Sequence, residues 1–212
     1  MIFKDRADAG RLLSFSLRDH LPDDRDNIVV VGLPRGGVVV AKEVARALKL
    51  PLDTIVIKKI GHPENSEFAV GAVGEREIFL NPDATVDAAY ARNTAERLRR
   101  EIKRQETLYR AGAGAPNYES KIVVLVDDGI ATGLTVKVAI AELRAHKPKK
   151  IILAVPVAAG DSLAELSHDV DDLVCLYTPA FFMAVGQFYE NFEEVSEHEV
   201  TALLKNSGWR QG

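Results

Sequence analysis

The sequence predicts an α/β fold: an open, mainly parallel five-stranded sheet with helices on both faces, carrying a flap and a small cap, or hood, formed by the terminal segments. Three observations predict it. Short apolar, largely β-branched runs recur at 28–31, 54–57, 123–126, 151–155 and 173–176, as expected of strands buried on both faces. Helical periodicity fills the intervals between most of them, and this alternation is the pattern of a parallel sheet. Two of the runs stop at glycine-containing turns that feed directly into a helix. The 212 residues read as one domain (1–212), with a core at about 28–177, a flap at about 60–81 and a hood at about 178–212.

Composition narrows the function classes. A hydrophobic content of 47% and a charged content of 27% are those of a soluble globular protein. The net charge of −4 argues against nucleic-acid binding through overall charge. Cys175 is the single cysteine, so no intrachain disulfide forms, and its apolar run predicts a buried inert thiol. The N-terminus lacks the apolar core of a signal peptide, and no apolar run approaches the ~20 residues of a membrane span. A cytoplasmic location is therefore expected. The five histidines are scattered without ligand spacing, which argues against a protein-built zinc site.

In chain order, residues 5–18 place Ala9, Leu12, Leu13 and Leu17 on one side of a helix. The first core strand, 28–31, ends at Gly32-Leu33-Pro34-Arg35-Gly36-Gly37, and a helix follows with Val40, Ala41, Val44, Ala45 and Leu48 at helical spacing. Gly36 and Gly37 allow backbone amides to close on an anion, and Arg35 adds a permanent forked positive charge. The strand 54–57 runs into Lys58 and Lys59, which as neighbours on a strand point to opposite faces, so one of them looks into a given cleft. Residues 60–81 lose periodicity; Gly61, Pro63, Gly71 and Gly74 punctuate a loop followed by a short strand pair. The longest helix, 83–110, carries a stripe of Tyr90, Ala91, Ala95, Leu98, Ile102 and Tyr109, with Arg92, Arg97, Arg99, Arg100, Lys103, Arg104 and Arg110 facing outwards. No aromatic residues are interleaved for stacking on bases, so this basic face reads as solvated surface or a homo-oligomer contact ahead of a nucleic-acid patch. Residues 111–116 form the connector into the next strand.

That next stretch organises the chain. The run Val123-Val124-Leu125-Val126 ends at Asp127-Asp128 and the turn Gly129-Ile130-Ala131-Thr132-Gly133-Leu134-Thr135; a helix follows with Val136, Ala139, Ile140 and Leu143 inward and Lys137, Glu142 and Arg144 left for solvent. Free amides of the turn and first helical turn suit a phosphate, and the threonines add donors. Paired carboxylates suit hydroxyl groups instead, or a magnesium ion that a ligand carries. After the strand 173–176 comes an aromatic cluster with Phe181, Phe182, Phe188 and Tyr189, placed to cover the site and stack on a planar ring or to join the core. Ser196 and Glu199 form a capping box, with Val195 and Val200 as a hydrophobic staple, so a final helix begins at Glu197.

The thirteen residues 123–135 resemble the 5-phosphoribosyl-1-pyrophosphate (PRPP) binding motif of the type I phosphoribosyltransferases, and the overall likeness is closest to uncharacterised bacterial proteins carrying that domain. The resemblance implies a glycosyltransferase of nucleotide metabolism that uses PRPP and Mg²⁺, moves the phosphoribosyl group to a nucleobase-like acceptor and releases pyrophosphate. It implies that Asp127, Asp128 and Arg35 serve catalysis, the two acids binding the 2′ and 3′ hydroxyls. Gly129, Ile130, Ala131, Thr132, Gly133, Leu134 and Thr135 would hold the 5′-phosphate. Pro34, Arg35, Gly36 and Gly37, with Lys58 or Lys59, would hold pyrophosphate, in a loop that often contains an unusual peptide geometry in the family. Mg²⁺ would be held mainly by the ligand, with Asp127 and Asp128 as candidate protein ligands. Phe181, Phe182 and Tyr189 are the acceptor candidates of the hood. The flap 60–81 would shield the site, Phe68 packing it down and Glu67 facing the cleft. Ala131 stands where hypoxanthine-type members have an aspartate, which weakens a 6-oxopurine assignment. Keeping the PRPP pocket without turnover, as a regulatory nucleotide or PRPP sensor, is the competing reading. A nucleotide hydrolase is disfavoured, since the chain has no Gly-x-x-x-x-Gly-Lys-Ser/Thr loop.

Overall fold

The computed structural model describes residues 2–82, 84, 86–110 and 117–205, without the side chains of Ser66 and Glu67. The main sheet consists of β1 (Ile28–Gly32), β2 (Leu52–Thr54), β6 (Ile122–Val126), β7 (Lys150–Val157) and β8 (Asp172–Tyr177), in the order β2-β1-β6-β7-β8 with every pair parallel. Alternate residues of the strands supply two cores. Ile28, Val30, Val124, Val126, Ile152 and Ala154 join α1 (Arg6–Leu17), α2 (Gly36–Leu48), α3 (Ala88–Tyr109) and α6 (Glu197–Lys205) on one face. Val29, Val31, Val123, Leu125, Ile151 and Leu153 pack with α4 (Leu134–Ala145) and α5 (Gly160–Leu166) on the other. The central residues of β1 and β6 are fully buried, which is why these strands carry almost no polar residue until they end.

The chain leaves β1 for β2 on one side and later returns to place β6 on the other. The strand order therefore reverses between β1 and β6, and in an open parallel sheet the crevice beyond the carboxyl ends at such a reversal is where ligands bind. The turns after β1 and β6 are the two glycine-containing turns of the sequence.

Four local expectations are corrected. The strand expected at 54–57 ends at Thr54, because β2 is an edge strand whose neighbour β1 stops at Gly32; Ile55, Val56 and Ile57 are buried without a ladder. Lys58 and Lys59 consequently begin a new strand. The aperiodic 60–81 region is a three-stranded antiparallel sheet of β3 (Lys58–His62), β4 (Asn65–Val73) and β5 (Ile78–Leu80), with register shifts between Ile60 and His62 that break the alternation. Glu142, expected in solvent, is 2% exposed: its Oε1 accepts the backbone N–H groups of Arg76 (2.6 Å) and Glu77 (2.5 Å), fastening the β4–β5 turn to α4. Burial raises its pKa, opposed by these hydrogen bonds.

Arg110, expected outward, is likewise drawn in: it donates to the Thr54 carbonyl (3.0 Å) and pairs with Glu106 (3.2 Å). The expected connector 111–116 and the end of the hood, 206–212, lie outside the described residues. The capping box forms, Ser196 Oγ accepting from Glu199 N at 3.2 Å and Ser196 N donating to Glu199 Oε2 at 2.8 Å. Cys175 is partly buried, and burial pushes its thiol pKa up.

Candidate active site

Both turns open into one cleft of about 390 Å³, lined by Leu33 and Pro34 from the first turn, Asp127 to Val136 from the second, and Ile57, Lys59, Val185 and Phe192. Their contact is direct. A Cβ added to Gly36 would lie 1.9 Å from Asp128 Oδ2, and one on Gly37 would lie 2.8 Å from Asp127 Oδ1, so only glycine lets the first turn close on the acid pair. Leu33 N donates to the Val126 carbonyl at 2.9 Å, carrying the β1–β6 pairing one residue into the turns. The Pro34–Arg35 peptide is cis. Beyond the acids, Gly133 adopts φ +72° as the N-cap of α4, aiming that helix's first amides at the cleft.

The two carboxylates are not equivalent. Asp127 accepts the Asp128 backbone N–H at 2.8 Å, and burial, with the neighbouring Asp128 charge added, pushes its pKa well above the usual carboxylate range. Asp128 is also pushed up by burial, but the Arg6 guanidinium, donating from Nε to Oδ2 at 2.7 Å, opposes the shift. Tyr189 Oη donates to the Asp128 carbonyl at 2.5 Å, and burial and the Asp128 charge raise the phenol's pKa.

Of the lysines, Lys59 lines the cleft. Lys58 lies toward α3 and α6, where burial lowers its pKa against the pull of Glu101 and Glu197. Arg35 reaches the hood and donates to Glu194; of the residues expected to hold pyrophosphate, Pro34 and Lys59 line the cleft, whereas Arg35, Gly36 and Gly37 stand beside it. The expected acceptor aromatics are placed differently. Phe181 is 88% exposed, Phe182 packs on Phe188 at 5.2 Å between centroids, and the Tyr189 ring is buried against Phe3; none of the three lines the cleft, whose hood wall is Val185 and Phe192. Phe68 of the flap is exposed and lines a neighbouring cavity of about 530 Å³ with Lys59, Phe79, Thr132, Gly133 and Lys137. The Glu67 side chain lies outside the described residues.

Sequence reasoning missed Arg6 and Phe192. Arg6 lies 122 residues from its partner Asp128, and a single arginine at the start of an amphipathic helix gives no signal. Phe192 stands beyond the densest part of the aromatic cluster.

For a metal, the donor set offers the Asp127–Asp128 pair, and no group of three potential ligands occurs among the described residues. Magnesium takes few carboxylates and keeps waters or ligand phosphate oxygens, so these residues fit an ion that arrives with its ligand.

The site thus joins a parallel sheet, a cleft at its strand reversal, a glycine turn, an acid pair and a helix N-terminus. Comparison gives the class: the phosphoribosyl transferase domain family matches residues 2–192, and the chain belongs to that family. Two Mycobacterium tuberculosis relatives, one from each of two strains and provisionally named phosphoribosyl transferases, are 44% identical over 209 residues, 96% of this chain and 46% of theirs. The chain thus spans about half the length of the curated relatives it matches. Among solved structures, the TT1426 protein of Thermus thermophilus is 40% identical with a TM-score of 0.81, covering 98% of this chain and 99% of that one. A hypothetical protein of Neisseria gonorrhoeae, 12% identical with a TM-score of 0.51 over 97% of each chain, shares the fold alone.

Proposed function

We propose that the protein is a phosphoribosyltransferase that takes PRPP with Mg²⁺, transfers the 5-phosphoribosyl group to a planar nitrogenous acceptor and releases pyrophosphate. One observation carries the reading: the two turns and the acid pair meet around a single cleft, so one small molecule can touch all three. PRPP has the matching groups, a 5′-phosphate, a ribose diol and a pyrophosphate.

In this reading the amides of Gly129 to Thr135 grip the 5′-phosphate and fix the sugar's position. Asp127 and Asp128 accept the ribose hydroxyls and lie where positive charge develops as the bond from C1 to the pyrophosphate oxygen breaks and the bond to the acceptor nitrogen forms. Pro34 to Gly37 and Lys59 receive the departing pyrophosphate. Magnesium would neutralise part of the leaving group's charge through that group's own oxygens. The acceptor enters from the hood side, against Val185 and Phe192, where an apolar wall favours a flat ring. Ala131 leaves the turn without a carboxylate to act as base there, so the acceptor loses its proton to solvent or to the pyrophosphate.

The test is pyrophosphate release from Mg²⁺-PRPP in the presence of a panel of purine, pyrimidine and other nitrogen-ring acceptors. Release that depends on a particular acceptor is expected. PRPP binding without release for any member would replace the transferase with a sensor, and absence of PRPP binding would reject both.

A further inference from the structure

The first turn of α1 reaches the cleft through pairing of the two ends of the described chain. Phe3 N donates to the Phe188 carbonyl (2.8 Å), Glu190 N to the Phe3 carbonyl (2.8 Å) and Asn191 N to the Lys4 carbonyl (3.0 Å). Arg6, the first helical residue, is thereby set beside both Asp128 and the hood. Its Nε donates to Asp128 Oδ2 (2.7 Å), its Nη1 to the Glu193 carbonyl (2.7 Å), and its guanidinium carbon lies 3.8 Å from the centre of the Phe192 ring. The Arg6 and Asp128 side chains are 11% and 15% exposed. A Cβ on Gly36 would sit 2.6 Å from Arg6 Nε, so the pin stands at the junction of the anion turn and the acid pair. Arg6 itself is not part of the cleft lining, whereas Asp128 and Phe192 both are.

We propose that Arg6 is a positioning residue of the active site: from behind the cleft it fixes the Asp128 carboxylate for the ribose diol and holds Phe192 as the wall on which the acceptor stacks. The assignment rests on the transferase reading above. Three directions are used at once, two donor directions in the guanidinium plane and one flat face, and only arginine offers all three; a lysine ammonium would keep the charge but supply neither the fork nor the plane. Without Arg6 the buried carboxylate loses its compensating charge and the hood loses its clasp.

The experiment compares the intact wild-type chain with Arg6→Ala and Arg6→Lys. Calorimetric affinity for Mg²⁺-PRPP should fall about tenfold or more in both variants, because the carboxylate that meets the diol is no longer held by the fork. Millimolar methylguanidinium should restore Arg6→Ala to within about threefold of wild type, and methylammonium at equal concentration should not, because only the former rebuilds fork and plane. Amide exchange at residues 188–193, read without PRPP, should quicken in Arg6→Ala and slow again with methylguanidinium. Wild-type affinity in Arg6→Ala, or a loss that ignores methylguanidinium or responds equally to methylammonium, would overturn the assignment. If Arg6→Ala does not fold, Arg6→Lys decides, since wild-type PRPP affinity there would overturn it too. Failure of the wild-type chain to bind PRPP would sink the transferase reading, while the exchange measurement would still decide whether Arg6 clasps hood to acid.

Discussion

The floor of the cleft and its walls are built in different ways. The floor consists of the turns after β1 and β6, adjacent parallel strands whose register of Gly32 opposite Val126 brings both turns to one level. It lines the cleft with the backbone of a glycine-containing turn and two acidic side chains next to a strand end. The walls are the hood and the flap sheet, held by side chains from remote segments: Arg6 and Tyr189 on Asp128, and Glu142 on the β4–β5 turn. A floor of this kind depends on close backbone approach and should tolerate almost no added atom. A wall of side chains should tolerate change at the cost of selectivity.

The largest effect should therefore come from the smallest change to the floor. Gly36→Ala would force the Asp128 carboxylate aside, and a displacement of about 1 Å in a positioned group costs up to about a hundredfold. Calorimetry should show PRPP affinity down by about that factor, with a lowered thermal melt as well, because the same Cβ meets Arg6 Nε and disturbs the Arg6–Asp128 pair. Equal affinity would mean that the two turns stand further apart in solution than a direct contact requires.

Truncating the wall should be milder and should act on the other substrate. For Phe192→Ala, lost stacking raises the acceptor KM about tenfold, with PRPP affinity within about threefold of wild type. A matching loss for PRPP would erase the distinction between floor and wall. Phe181→Ser provides the contrast: its exposed ring should be replaceable without effect on either constant.

Lysine placement gives a smaller test. Lys59→Ala should weaken PRPP by about threefold to tenfold as one exposed anion contact is lost, whereas Lys58→Ala should leave it within about twofold. The reverse order would move the pyrophosphate to the α3 side.

The last prediction concerns stability. The folded-state pKa of Asp127 is raised above its unfolded value by burial and by Asp128, so its contribution is fully present below the unfolded pKa and is lost as pH rises through the folded one. Above the unfolded pKa, burial of the Asp127 carboxyl beside Asp128 therefore lowers stability. Asp127→Asn escapes this loss while keeping an acceptor for the Asp128 amide, and should raise the Tm by a few degrees at pH 7, with the advantage shrinking toward pH 4. A lower Tm would show that the charge is compensated in the fold.

These contrasts also explain what the sequence disclosed. The floor was legible because an all-apolar strand ending in Asp127-Asp128 and a glycine turn is local in the chain, as is the Leu33 to Gly37 turn. The strand expected at 54–57 was misplaced because burial leaves the same apolar signature with or without a ladder partner, and Ile55, Val56 and Ile57 have burial alone. In the flap, register shifts around Gly61 erased the alternation that would have marked β3. Glu142 gave no sign of its role because its partners are backbone amides, which look alike in any sequence. The hood wall was assigned to the densest aromatic run, yet Phe182 and Tyr189 serve to pack the hood upon itself and upon Phe3. Phe192 lines the cleft with the Arg6 guanidinium over its ring and the Tyr189 ring beside it, contacts that its position in the sequence does not announce.

The central claim is that two turns and an acid pair act together on one PRPP molecule. Calorimetric titration of Mg²⁺-PRPP into the wild-type chain and the Asp127→Asn, Asp128→Asn double variant tests it most directly. The account predicts one PRPP per wild-type chain and no measurable binding by the double variant, both proteins melting cooperatively. Unchanged affinity in the double variant, or no binding by the wild type, would contradict it.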